Sequence, residues 1–100
     1  MKAYYEDYVN HMLRHYYRCG KPDEKADTAT QINYDTVNTV VSETPAPWQN
    51  LLRTVYTSRH WYDNNSSLRR VLTAENVPDP SAAIMIIRAV TMRIKEVRCL

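Results

Sequence analysis

The chain has 100 residues, enough for one modest hydrophobic core and too few for most enzymes with several sites. At 44% hydrophobic and 24% charged, with a single glycine, it is neither a low-complexity tail nor a turn-rich β protein, and an all-α fold is the expectation. The net charge of +2 marks no polyanion binder by itself, but residues 1–45 carry five Lys/Arg against seven Asp/Glu and residues 46–100 carry eight against four.

Tyr5, Tyr8, Val9, Met12, Leu13 and Tyr16 recur at helical spacing and predict an amphipathic helix over residues 1–20, closed by Gly20 and Pro22. Residues 21–32 are polar and aperiodic and predict a mobile linker. Tyr34, Val37, Val40 and Val41 then suit either a strand or a helix; their spacing of three, three and one favours a helix capped by Asn33 and stopped by Pro45. Pro47 opens a third helix with Trp48, Leu51, Leu52, Val55 and Tyr56 as its core face. TSRHWYDNNSS reads as a loop anchored by Trp61 and Tyr62. Ser66 or Ser67 caps a short fourth helix carrying Leu68, Val71 and Leu72, which ends near Asn76.

After the turn Val77–Pro80, a fifth helix places Ala83, Ile87, Val90, Ile94 and Val97 on one face. Ile84 and Ile86 widen that face, so the first half of the helix is expected to be almost wholly buried. The architecture expected is one domain, residues 1–100, of about five helices, with residues 33–100 as its core. No apolar run reaches the ~18–20 residues of a membrane span, and MKAYYEDYVN lacks a signal-peptide layout. A cytoplasmic chain with Cys19 and Cys99 as free thiols is the expectation.

A short helix, a tight turn and a longer helix are the ingredients of a helix-turn-helix. Residues 36–99, through WQNLLRTVY, VLTAENV and VTMRIKEVR, resemble the region-four domain of sigma factors. They resemble more closely the small sigma-like regulators of phages and integrative elements, and MKAYYEDYVNHMLRHYYR is similar to the Tyr-rich first helix of such proteins. The resemblance implies a C-terminal helix-turn-helix and a transcriptional regulator that binds duplex DNA, with RNA polymerase as a further partner. Arg69 and Arg70 would then hold phosphates, Ser81, Met85 and Arg88 would lie nearest the groove, and Arg93 and Arg98 would stand beside them. The helix N-terminus near Ser81 would offer another phosphate site.

Two departures bear on that chemistry. Asn76 stands where the motif usually has glycine, a change its tolerance of left-handed backbone accommodates. The turn VPDPS is one residue longer than usual, and of Ser81, Ala82, Ile84, Met85 and Arg88 only Arg88 is suited to reading base edges.

Signals of catalysis are few. One glycine builds no phosphate loop or dinucleotide fingerprint, the thiols lie in no nucleophile motif, and the adjacent pairs Glu6–Asp7 and Asp23–Glu24 splay apart. His11, His15 and Cys19 follow one helical flank, but no fourth ligand is placed, so neither metal nor cofactor is expected and the chain reads as a non-enzyme. The alternative function is a phage-encoded inhibitor acting by protein–protein contact, for example against a host defence nuclease, through Tyr4, Tyr5, Tyr17, Trp61 and Tyr62. The bland reading of those rings is that tyrosine fills the core of a chain that has no phenylalanine.

Overall fold

The computed structural model describes residues 2–61 and 67–99, with side chains from Tyr8 onward. It contains α1 (Lys2–Cys19), α2 (Thr28–Glu43), α3 (Ala46–Tyr56), α4 (Leu68–Ala74) and α5 (Pro80–Arg98), and no strand among the described residues. None of these helices is long and apolar enough to cross a membrane.

Most boundaries follow from local chemistry. Gly20 adopts φ +70° and donates its N–H to the Tyr16 carbonyl at 3.2 Å, closing α1 where the left-handed residue was expected. Pro45 stands between α2 and α3 as the cap of α3, Pro47 lies in its first turn, and the Gln49 amide reaches back to the Val41 and Thr44 carbonyls at 2.9 and 2.8 Å. The Thr44 carbonyl, which the end of α2 would otherwise leave open, is thereby satisfied, and the Val41 carbonyl, already accepting the Thr44 N–H, gains a second donor.

The start of α2 differs from the sequence expectation. Asp27, not Asn33, is the cap, accepting the Thr30 N–H at 2.7 Å, and the turn before it is tied by Lys25 and Ala26 N–H groups donating to Asp23. Thr28 to Gln31 carry no apolar period, which concealed the helix; the capping carboxylate supplies what periodicity does not. Asn33 instead lies inside α2, donating to the Tyr8 hydroxyl at 3.0 Å and accepting from Arg98 Nε at 2.9 Å.

One cluster of buried apolar side chains draws on all five helices. It comprises Val9, Met12 and Leu13 of α1, Val37, Val40 and Val41 of α2, and Leu52, Val55 and Tyr56 of α3. Val71 and Leu72 of α4 and Ala83, Ile87, Val90 and Ile94 of α5 complete it. α5 packs against each of the other four, most extensively against α2. Tyr–asparagine hydrogen bonds stitch the layers: Tyr16 to Asn38 at 2.8 Å joins α1 to α2, and buried Tyr56 to Asn10 at 2.7 Å joins α3 to α1.

Three expectations about burial fail. Trp48 and Val97 are exposed, and the first half of α5 is not enclosed: Met85 is 73% exposed, with Ser81, Ala82 and Arg88 also outward. The apolar arc in sequence is wider than the surface the other helices present, so only its central line is covered.

Ile87→Ala should cost about 2–5 kcal/mol by leaving a cavity, whereas Met92→Ala should change stability by less than about 0.5 kcal/mol. Urea unfolding of the two variants checks the contrast.

Candidate nucleic-acid interface

The turn between α4 and α5 is set by two left-handed residues. Asn76 takes φ 57°, with its N–H on the Thr73 carbonyl at 3.1 Å and the Val77 N–H on the Leu72 carbonyl at 3.0 Å. That is a Schellman ending with asparagine in the glycine position. Val77 packs against the core that contains Leu72, the apolar contact such endings favour. Asp79 takes φ 49° and accepts the Ala82 N–H at 3.2 Å as the cap of α5, with Pro80 in the first turn. At the other end of the pair, Ser67 caps α4 through the Arg70 N–H. Val71 and Leu72 of α4 and Ala83 and Ile87 of α5 are buried, and the two helices pack against each other.

This scaffold leaves Arg69, Arg70, Ser81, Met85 and Arg88 all exposed. Among the described residues, no carboxylate pairs with Arg69, Arg70 or Arg88; the salt bridges found are those of Arg93. Arg93 sits between Glu43 at 3.6 Å and Glu96 at 3.2 Å, and Arg98 is bonded to Asn33, so these two arginines tie α5 to α2 rather than extending the free positive surface. The phosphate role expected of the α5 N-terminus also needs correction. The Asp79 side chain already takes a first-turn N–H there, and its negative charge opposes an incoming anion.

Of the aromatic residues of the alternative reading, Tyr17 and Trp61 are partly buried against the core. Trp61 stacks on Tyr56 with centroids 5.5 Å apart, donates its indole N–H to the Val55 carbonyl at 2.7 Å, and carries the Arg14 guanidinium over its ring at 5.4 Å. Tyr17 is partly buried against the core, meets Tyr16 edge-on at 5.0 Å, and lies under Arg53 at 6.0 Å. Burial, then the neighbouring Tyr16, push its hydroxyl up to about 12 despite Arg53, so it stays a neutral phenol. The side chains of Tyr4 and Tyr5, and all of Tyr62, lie outside the described residues.

A shallow cleft of about 590 Å³ opens where α1, α2 and α3 meet, with Tyr16, Tyr17, Tyr34 and Arg53 on its walls. Periodicity along any one helix does not reveal it, because its walls come from three.

The histidine flank holds no metal-binding group: among the described residues, no three His, Cys, Asp or Glu side chains converge. His11 and His15 stand with ring centroids 6.2 Å apart, and Cys19 and Cys99 are exposed free thiols.

No family model, curated protein or solved structure matches the chain.

Partial burial, then the charges of Arg14 and His15, lower the His11 pKa. The unfolded chain therefore binds the proton more readily, and stability is lost as pH falls from above the ordinary histidine value, about 6.5, through the folded one. Wild type should lose more thermal stability than His11→Gln between about pH 7.5 and 5.5; parallel melting curves across that range would refute the assignment.

Proposed function

We propose that this chain is a transcriptional regulator of a phage or mobile element that binds duplex DNA, with α4 and α5 used as a sigma-like helix-turn-helix. Acting beside RNA polymerase is part of the same reading, taken from the sequence resemblance. One observation carries it: Arg69, Arg70 and Arg88 are exposed and free of carboxylate partners among the described residues, on two helices joined by a tight capped turn. Guanidinium groups in such a setting suit phosphate oxygens, which they engage with paired N–H donors.

The chemistry favours holding the backbone over reading bases. Base-edge recognition in the major groove relies on side chains that donate or accept in pairs, and of Ser81, Ala82, Ile84, Met85 and Arg88 only Arg88 does so. Met85 offers van der Waals contact to a thymine methyl and nothing to the other base edges. Affinity would then come chiefly from phosphate neutralisation, with modest sequence preference.

Replacing Arg69 and Arg70 together by Ala should weaken binding to all duplexes alike and flatten the dependence of log affinity on log salt by about 0.9 for each phosphate no longer neutralised. Fluorescence anisotropy with a labelled duplex at several salt concentrations checks both. Unchanged affinity in the double variant, or binding indifferent to salt in the wild type, would remove the reading.

A further inference from the structure

The two most exposed large apolar side chains in the described structure are Met85, at 73%, and Met92, at 61%, and they lie on the same helix. At about 3.6 residues per turn, seven residues return nearly to the same face, and Ala89 falls between them. Ala89 is exposed as well. This line runs opposite Ala83, Ile87, Val90 and Ile94, so it faces away from the core along most of α5. A lone exposed apolar residue is ordinary, but an unbroken Met–Ala–Met line spanning two turns is a surface without a covering. Methionine, unbranched and polarisable, is suited to packing against partners of varied shape.

The flanks indicate what covers it. Arg88 and Lys95, also seven residues apart, run along one side, and neither has a carboxylate partner among the described residues. Arg93 stands on the other side. The single acid on this face, Glu96, is already engaged by Arg93 at 3.2 Å. A second copy of the same face would set the Arg88 and Lys95 rows against like charge, which opposes self-association. Bases offer the seam little, for it carries no hydrogen-bonding group. An amphipathic helix with an apolar stripe and glutamates or aspartates along its edges satisfies both features: the stripe covers the methionines and the acids meet the basic row.

We propose that the outward face of α5 is a docking surface for an acidic amphipathic helix of a partner protein, seated on Met85, Ala89 and Met92 and held in register by Arg88 and Lys95. This goes beyond DNA binding and does not rest on it. It also moves the protein-contact surface of the chain away from Tyr17 and Trp61, whose rings pack inward. Because Met85 and Arg88 belong to both surfaces, a docked helix would exclude duplex DNA from α5.

The test uses the full chain and three labelled 18-residue helical peptides. One carries a leucine stripe flanked by glutamates; a twin has lysines in place of the glutamates; a third has the leucines replaced by glutamine. The glutamate peptide should bind at least about tenfold more tightly than either other, with the advantage over the lysine twin shrinking as salt rises. Met85→Glu with Met92→Glu should abolish binding, and Met85→Leu with Met92→Leu should retain it. These side chains lie in solvent, so the substitutions leave the core untouched. Arg69→Ala with Arg70→Ala should leave peptide affinity unchanged while weakening duplex DNA, which separates failure of this surface from failure of the DNA reading. Equal affinity for the acidic and basic peptides, no saturable binding up to about 1 mM, where association supplies only about 4 kcal/mol, or undiminished binding by the double glutamate variant would each overturn the proposal.

Discussion

Burial of one line of α5, formed by Ala83, Ile87, Val90 and Ile94, is the contact on which the remaining helices close. A helix is stiff, so covering one line fixes what the opposite line displays. Met85, Ala89, Met92 and Arg88 therefore face outward as a geometric consequence of where the core lies. The display surface and the core are two sides of the same nineteen-residue element, and neither changes register without the other.

The arginines divide by what they touch. Arg14 lies over Trp61, Arg53 over Tyr17, Arg18 donates to the Ser58 carbonyl at 2.6 Å, Arg98 is bound to Asn33, and Arg93 bridges toward α2. Long apolar stems and planar cationic heads make arginine effective at such seams, where a ring face or an open carbonyl adjoins solvent. Arg69, Arg70 and Arg88 stand apart from that structural set. The basic excess of the C-terminal half is thus smaller as free charge than as composition, because part of it holds helices together.

Tyrosine takes the place that phenylalanine would occupy, and its hydroxyl adds a requirement. Tyr8, Tyr16 and Tyr56 meet it through Asn33, Asn38 and Asn10, so each ring that contributes apolar area also fixes a neighbouring helix by a hydrogen bond. The buried Tyr17 hydroxyl, by contrast, has no hydrogen-bond partner among the described residues. The dense aromatic character of α1 thus serves packing between α1, α2 and α3 in its described part, and Trp61 extends the same layer over the end of α3.

The amino-acid order alone determined the five helices, the left-handed stops at Gly20 and Asn76, the proline break between α2 and α3, and the residues joining α4 to α5, since caps, breakers and periodicity act over a few neighbouring positions. It left Asp27 hidden behind a polar run that lacks any apolar period. Tertiary structure alone decided which members of an over-wide apolar arc are covered, leaving Met85 and Met92 in solvent, and which arginines meet a ring, a carbonyl or an acid. Those outcomes depend on the area and side chains that neighbouring helices bring into contact, and local spacing carries no record of them.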